Sequence, residues 1–280
     1  MIVDEHGNDY FVFDGHVHVG WRPFTSTVTA DRGDGGFFAD ELIANMDAAG
    51  VDMAVIFPRA NPHTDYSTEN ERMIQAAREH PDRLIPYVRV QPFFGKQAAD
   101  DVARFGELGA RGVKIHPFMD FAGNAVNRPE LTHDIVKAAA SRNMLVLTHS
   151  GESWNAHPAL VWDLARAIPQ ATIIMAHCGL WEGHQSAIAL AKETPNLFMD
   201  TSEVSPPAVI WNVVKGIGAD RLLFGSDHPA IPYGWEIGKV VKYAGLAPDD
   251  IRKIIGLNLA GLLGVDASKP RGPKVELRDI

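Results

Sequence analysis

The chain has 280 residues, of which 46% are hydrophobic and 22% are charged, and these fractions are typical of a globular protein rather than a disordered chain or a coiled coil. Its formal net charge of −9, without a long basic run, disfavours a surface for nucleic acid or for anionic membranes. The single cysteine excludes an internal disulfide and a multi-cysteine zinc site, and no apolar run reaches the ~18 residues of a membrane span.

The first residues lack the basic start and the apolar core of a signal peptide, so we expect a cytoplasmic protein. About 150 residues per domain would give two domains, but a (β/α)₈ barrel uses about 250 residues as one. We expect a small-molecule substrate and neither nucleic acid nor membrane as partners, while a homodimer stays an open alternative to a monomer.

Short runs of apolar and β-branched residues are predicted to be β-strands. Most are continuous rather than alternating, which is typical of parallel strands that are covered on both faces. In chain order they are Phe11–Val19, Met53–Phe57, Leu84–Val90, Gly112–His116, Met144–His149, Thr172–His177, Leu197–Thr201 and Arg221–Ser226.

Stretches with the helical spacing of apolar residues separate these strands. They are Ala39–Ala49, Thr68–His80, Lys96–Leu108, Glu130–Arg142, Ala159–Ile168, Gln185–Glu193, Ala208–Ile217 and Trp235–Ala244, and Pro248–Leu263 follows as an extra helix. Each strand-to-helix alternation implies a right-handed crossover and a parallel sheet. The sequence therefore predicts an α/β fold of the (β/α)₈ TIM-barrel type with an extra C-terminal helix, as one domain over 1–280 with a core at about 11–264.

Two segments break this alternation. Trp21–Phe38 is a long loop after the first strand, and a loop of this length in a compact domain is usually functional or mobile, so we expect a lid. The tail Val265–Ile280 has no clear period and is expected to wrap the surface or to fray.

Histidines gather at the C-terminal strand ends, which form the active face of a β/α barrel. They are His16, His18, His116, His149, His177 and His228. His16 and His18 are two residues apart, so both rings can face one ion in the barrel mouth. The alternative is two polar residues on an exposed strand edge. Asp14 shares their face and is a candidate acceptor for a hydrogen bond from a ligand imidazole.

His149, His177 and Asp227 each follow an apolar strand. Buried imidazoles need partners for both nitrogens, so two of them in one cavity suggest metal ligands or bases, although satisfied core histidines are the alternative. A carboxylate after an apolar run is costly unless it is paired or coordinating. We therefore interpret Asp227 as a ligand and proton carrier rather than as a turn residue before Pro229.

Lys114 and His116 share one face of the fourth predicted strand. Lys114 pairs with an acid, is a carboxylated bridge between two metals or, as we favour, is a solvated strand-end lysine with His116 as an outer or substrate contact. Arg59 and Arg89 follow the second and third strands and either bind a substrate carboxylate or form surface ion pairs. His228 is a further candidate contact beside Asp227. Cys178 points away from the site and is expected to pack.

The mouth also contains aromatic side chains, which suggest an apolar or ring-bearing substrate. They are Phe24, Phe37, Phe93, Phe94, Phe118, Trp154 and Trp181.

Taken in order, these motifs resemble the metal-dependent amidohydrolase superfamily, in its branch that includes aminocarboxymuconate semialdehyde decarboxylase. The resemblance covers about residues 11 to 264. It rests on Asp14–His18, Gly112–Pro117, His149, His177, Gly225–Pro229 and the Asn-x-Ala-x-x-Leu element at Asn258–Leu263.

This resemblance implies a distorted barrel with one divalent metal. His16, His18, His149 and Asp227 would be its ligands, and His177 would hold or activate the attacking water. Three imidazoles and one carboxylate suit zinc, with manganese as the alternative. A carboxylated Lys114 would instead imply two metals.

The first functional hypothesis is a hydrolase that cleaves an amide, lactone or ester of a small carboxylic acid, with Asp227 and His177 as catalytic residues. The alternative is a nonoxidative decarboxylase of a small or aromatic carboxylic acid, in which Asp227 protonates carbon. A barrel that binds metal or ligand without turnover is the least favoured hypothesis.

Overall fold

Eight parallel strands form the centre of the molecule in the computed structural model, which describes residues 1–21, 36–61, 64–152 and 154–280. The (β/α)₈ prediction is confirmed. The strands are β1 (Phe13–Trp21), β2 (Met53–Pro58), β3 (Leu84–Val88), β4 (Gly112–Ile115), β5 (Leu145–Thr148), β6 (Ile173–Met175), β7 (Leu197–Asp200) and β8 (Leu222–Leu223).

Each strand pairs with the next in chain order, and the segment that follows β8 returns to β1. The closing contacts are a parallel bridge between Val17 and His228 and a 2.9 Å hydrogen bond from the Gly15 amide to the Phe224 carbonyl oxygen. Only Leu222–Leu223 of the predicted eighth strand stay in the regular ladder. The barrel is therefore nearly closed and irregular where β8 meets β1, which is the seam that carries much of the candidate site.

Helices surround the barrel at the predicted places. They are α1 (Ala39–Ala49), α2 (Ser67–Glu79), α3 (Lys96–Glu107), α4 (Pro129–Ala140), α5 (Pro158–Ala167), α6 (His184–Lys192), α7 (Ala208–Ile217) and α8 (Tyr233–Gly238). A π-helical turn, Lys239–Tyr243, continues α8. The extra C-terminal helix runs as α9 (Pro248–Arg252), a π-helical turn (Lys253–Leu257) and α10 (Asn258–Leu263).

The alternation of side chains along each strand produces two apolar layers. In β2, Met53, Val55 and Phe57 belong to the cluster inside the barrel, whereas Ala54 and Ile56 pack outward under the helices. Both faces of the strand are buried, so the sequence shows a continuous apolar run rather than an alternating one.

The tail is held against the opposite end of the chain. Val275–Glu276 pairs in parallel with Ile2–Val3, which also pairs with Asp9–Tyr10. Of the two sequence alternatives, the structure shows wrapping rather than fraying.

The Gly20–Trp21 end of β1 pairs with Gly36–Phe37. Residues 22–35 of the predicted lid, including Phe24, lie outside the described residues. Among the residues that are described, no helix has both the length and the apolar character needed to cross a membrane.

Candidate active site and metal centre

The first two site histidines lie on β1, where the register shifts between Asp14 and Val17. Such a bulge changes the direction of the side chains around it. It places the His16 ring in a fully buried position, while His18 keeps 17% of its side chain exposed toward the mouth.

Asp227 follows β8 in a left-handed backbone conformation, with φ 57°. Its Oδ1 atom is 2.9 Å from Nε2 of His18 and 3.1 Å from Nε2 of His16. Burial opposes ionisation, but the two histidines outweigh it and hold the pKa of Asp227 well below its ordinary value. Burial lowers the pKa of His18 to about 3, so its ring is neutral at pH 7.

These three residues fit a divalent metal. The ligand atoms of His16, His18 and Asp227 all lie within 4.8 Å of one another. Two imidazole nitrogens and a carboxylate oxygen are a donor set that zinc and manganese accept. A second group, His16 with His177 and Asp200, meets the same distance criterion deeper in the barrel.

His177 follows β6, and both it and Cys178 have left-handed backbones, with φ 60° and 48°. Non-glycine residues rarely adopt this conformation, and such strained residues cluster at functional sites. The Nε2 atom of His177 is 3.0 Å from Nδ1 of His149. Burial, then the neighbouring His149, hold the pKa of His177 well below its ordinary value, so the ring is a neutral base.

His149 lies beside His177 rather than in either group of potential ligands. Its Nε2 atom faces both carboxylate oxygens of Glu152, each at 2.9 Å, and its ring stacks on His116 at 4.0 Å. The structure thus brings His16, His18 and Asp227 directly together and connects His149 to them through His177.

Besides Glu152, three polar residues of the site are not among those predicted from the sequence. Asp200 ends β7 and accepts a 2.8 Å hydrogen bond from His16, Ser202 lies 2.9 Å from His177 Nδ1, and Glu203 lies 3.8 Å from the same nitrogen. Glu203 also has a left-handed backbone, and burial and then Asp227 raise its pKa. The signal was available, because a polar run follows the apolar residues of β7 as it does after β8.

Asp14 does not fill the role that the sequence suggested for it. Its carboxylate accepts hydrogen bonds from the Ser226 hydroxyl at 2.5 Å and from the amides of Ser226 and His16. Asp14 lies deeper than His16, so it meets the backbone at the end of β8, and the partner of the His16 ring is Asp200 instead. Burial raises the pKa of Asp14 to about 7.

Lys114 of β4 is buried in the centre of the barrel, and its Nζ atom is 2.8 Å from Nε2 of His16. Burial and then the nearby Arg89 lower the pKa of Lys114 to about 7. The lysine is therefore not the solvated strand-end side chain that the sequence favoured, because its position on β4 faces the barrel interior.

Arg89 is committed to a buried ion pair. Its guanidinium is 2.8 Å from Asp120 and donates to the Pro58 carbonyl oxygen at 2.7 Å. It is neither a surface residue nor open toward solvent, which corrects the surface ion-pair alternative. Arg59 lines a cavity of about 320 Å³ between the ends of β1 and β2 and helix α2.

The remaining candidates have structural contacts. His228 stacks on Tyr233 at 4.3 Å and lies 3.2 Å from Asn45 Nδ2, and its backbone amide donates a hydrogen bond to the Ser226 hydroxyl oxygen. Cys178 is buried and its thiol donates to the Asp200 carbonyl oxygen, as expected of a packed cysteine.

Several of the predicted mouth aromatics are exposed. Phe93, Phe94, Phe118, Trp154 and Trp181 follow neighbouring strands of the barrel, from β3 to β6, and each exposes about half of its side chain or more. Phe37 instead is buried against His228.

Comparison with known proteins agrees with this geometry. The sequence profile of the family described as amidohydrolase matches residues 13–265. A search of curated protein sequences gives no match.

Solved structures resemble the chain over almost their whole length. A 5-carboxyvanillate decarboxylase from Sphingomonas paucimobilis has a TM-score of 0.72 at 17% identity and covers 92% of this chain and 100% of its own. A second one, from Novosphingobium aromaticivorans with bound manganese and a nitrobenzoic acid, has a TM-score of 0.74 at 15% identity, with 95% and 100% covered. A probable 2-pyrone-4,6-dicarboxylic acid hydrolase from Acinetobacter baumannii, with citric acid bound, has a TM-score of 0.67 at 20% identity, with 90% and 99% covered. At these identities the likeness establishes the fold.

Proposed function

The chain belongs to the amidohydrolase family, and from this premise we propose that it is a metal-dependent hydrolase that cleaves an amide, lactone or ester of a small carboxylic acid. The observation that carries the proposal is the meeting of His16, His18 and Asp227 beside the strained, neutral His177. The proposed ion is one divalent metal, zinc first and manganese second. His149 is proposed as a further ligand, a role that requires its ring to turn from its present partners, His177 and Glu152.

A divalent ion held by these residues would act as a Lewis acid and make water easier to deprotonate. Asp227 is ionised, so it can accept the proton of the attacking water and later return it to the leaving group. His177 is neutral and sits beside the same space, where it can orient the water and support the developing negative charge.

The protonation states of Asp227 and His177 favour hydrolysis over decarboxylation. A decarboxylase must deliver a proton to carbon, and a carboxylate whose pKa lies well below its ordinary value is ionised at neutral pH and holds no proton to deliver. Hydrolysis instead begins with removal of a proton from water, which an ionised Asp227 and a neutral His177 both permit.

A nonoxidative decarboxylase is the second candidate. It is favoured by the fold shared with two 5-carboxyvanillate decarboxylases and by the row of exposed aromatic residues from Phe93 to Trp181 at the mouth. In that case Glu203, whose pKa is raised, would be a better proton donor than Asp227.

We further propose that the chain is a single catalytic domain over residues 1–280 and works in the cytoplasm on small molecules. The net charge of −9 supports the expectation that nucleic acid is not a partner. A homodimer stays a prediction, and measurement of the molecular mass in solution would test it.

Metal content and product analysis test the proposal together. Elemental analysis of protein purified without chelator should give about one zinc or manganese per chain in the wild type and none in His18→Ala. The loaded protein is then incubated with panels of esters, lactones and amides and with panels of aromatic acids. Release of an acid and its leaving group supports the hydrolase, release of CO₂ supports the decarboxylase, and a wild type that takes up no metal overturns both.

A further inference from the structure

Asp200 divides its hydrogen bonds unequally between its two oxygens. Oδ1 accepts from the amides of His177 and Ser202, at 2.9 and 3.1 Å, and from the Ser202 hydroxyl at 2.5 Å. Within the part of the chain that the structure describes, Oδ2 has one hydrogen-bond partner, the Nδ1 atom of His16 at 2.8 Å. The carboxylate is therefore fixed by backbone donors on one side and aimed at one imidazole nitrogen on the other.

We propose that Asp200 is the positioning residue that holds His16 in the tautomer protonated at Nδ1 and thereby leaves the Nε2 lone pair free for a metal. A carboxylate only accepts hydrogen bonds, so the Nδ1 atom that faces it must carry the proton. The inference rests on the proposed metal centre for its consequence, because ligand imidazoles are commonly oriented by such outer carboxylates.

A contact on the opposite side of the His16 ring agrees with this assignment. Lys114 Nζ lies 2.8 Å from Nε2, and a lysine ammonium has donors but no acceptor. When Lys114 is charged, the Nε2 atom that receives its proton must offer its lone pair. Asp227 Oδ1 also lies 3.1 Å from Nε2. With Nδ1 protonated, the Nε2 lone pair and this carboxylate oxygen are two acceptors that a cation between them would bridge.

The backbone at Gly225 lies close to both His16 and Asp200. A Cβ atom at Gly225 would lie 2.9 Å from His16 Cβ and 3.2 Å from Asp200 Oδ2, closer than ordinary contacts allow. The end of β8 thus leaves just enough room for His16 and Asp200 to meet.

Because of these contacts, we expect the nearly isosteric substitution Asp200→Asn to weaken metal binding more than Asp200→Ala does. In Asp200→Asn the amide oxygen must take the place of Oδ1, because the amides of His177 and Ser202 can only donate. The amide nitrogen then faces His16 Nδ1 as a donor, which forces the proton of the ring onto Nε2 and blocks its lone pair. In Asp200→Ala no group forces the wrong tautomer.

The test is the zinc affinity of the whole protein, measured by competition with a chromophoric chelator. We expect Asp200→Asn to bind zinc about 10- to 100-fold more weakly than the wild type, the size typical for loss of an outer partner, and Asp200→Ala to lie between them. A role in folding alone predicts the reverse order, with Asn closer to the wild type, and that order would overturn the inference.

Two controls separate the remaining explanations. Asp52→Asn changes another buried aspartate that accepts from backbone amides, but it lies just before β2, at the N-terminal ends of the strands, and should leave zinc affinity unchanged. In the His16→Ala background Asp200→Asn should add no further loss, because it acts through the ring. An additive loss there would make Asp200 a direct ligand and would overturn its assignment as a positioning residue.

A metal-free measurement distinguishes failure of this inference from failure of the proposed function. Nitrogen NMR of the histidine rings, at alkaline pH where they are neutral, should show His16 protonated at Nδ1 in the wild type and at Nε2 in Asp200→Asn. A wild type protonated at Nε2 overturns the inference even if Asp200→Asn does not fold. A wild type with the expected tautomer but no zinc binding overturns only the metal centre.

Discussion

The Oδ1 atom of Asp227 lies 2.9 Å from Nε2 of His18, a contact that joins the end of the last strand to the first. Burial lowers the pKa of His18 to about 3, and the histidines keep Asp227 ionised. A neutral imidazole and a carboxylate that meet in this way share the ring proton, and once a cation displaces that proton they offer it a lone pair and a negative charge at one point. This relationship, rather than the number of histidines, favours a cation at the barrel mouth.

Replacement of Asp227 by asparagine tests its part in proton transfer. An amide keeps an oxygen atom in place but cannot accept a proton at neutral pH, so we expect kcat to fall by about 100-fold or more on the substrate that the panels identify. Stopped assays with metal-saturated protein measure this. Asp220→Asn, which changes an exposed aspartate paired with Lys253, is the matched control, and equal activity of the two variants would refute the role of Asp227.

Gly225→Ala tests the close approach of β8 to the site. The new methyl group would meet His16 and Asp200 at 2.9 to 3.2 Å in a well-packed interior, so we expect a loss of about 1–3 kcal/mol of unfolding free energy and weaker zinc binding. Urea unfolding and chelator competition give the two numbers.

The control for this substitution is Gly261→Ala in α10, where nothing lies within 4 Å of the new Cβ atom. A helical glycine costs roughly 0.5–1 kcal/mol relative to alanine, so this variant should be as stable as the wild type or more stable. If Gly225→Ala behaves in the same way, the site has more room than the structure shows.

The sequence predicts the barrel well because local patterns determine its elements. The outward and inward residues of β2 are all apolar, so the run Met53–Phe57 is visible without any knowledge of its neighbours. His16, His18 and Asp227 are likewise visible, since each sits in or next to a strand whose end must face the mouth.

What the sequence could not predict are contacts between distant strands. The hydrogen bond between His16 and Asp200 joins β1 to β7 across 184 positions. The bulge between Asp14 and Val17 orients the His16 ring so that its partner is Asp200 rather than Asp14. The pairing of Arg89 with Asp120 is also a matter of three-dimensional packing, because nothing near either residue in the sequence marks the other as its partner.

The buried pair of Arg89 and Asp120 predicts a large effect on stability. Asp120 also accepts hydrogen bonds from the Tyr66 hydroxyl at 2.7 Å and from the His116 amide at 2.8 Å. Asp120→Asn would leave the buried guanidinium without its counter-charge, and we expect a loss of about 3–5 kcal/mol in urea unfolding.

An exposed pair gives the matched comparison. Lys96 and Asp100 lie 2.6 Å apart on the surface of α3, where water screens their attraction. Asp100→Asn should change the unfolding free energy by about 0.5 kcal/mol or less. Losses of similar size for Asp100→Asn and Asp120→Asn would contradict the importance of burial for the Arg89 pair.

The carboxylate of Asp4, far from the candidate site, should make the free energy of unfolding depend on pH in the acid range. Burial alone would raise its pKa, but hydrogen bonds from Asn8, Tyr10 and the His6 amide outweigh it and lower the pKa to about 2. The folded protein binds the proton of Asp4 more weakly than the unfolded chain does. The contribution of this carboxylate to the free energy of unfolding is therefore complete above about pH 4 and is lost as the pH falls toward 2.

Asp4→Ala should therefore lower the unfolding free energy by about 1–2 kcal/mol near pH 6, and the difference from the wild type should narrow steadily below pH 4. Urea titrations at several pH values between 2 and 6 measure this, with Glu5→Ala as the control on the exposed neighbour. A difference that stays constant down to pH 2 would mean that Asp4 stabilises the N-terminal turn by shape and packing rather than by its negative charge.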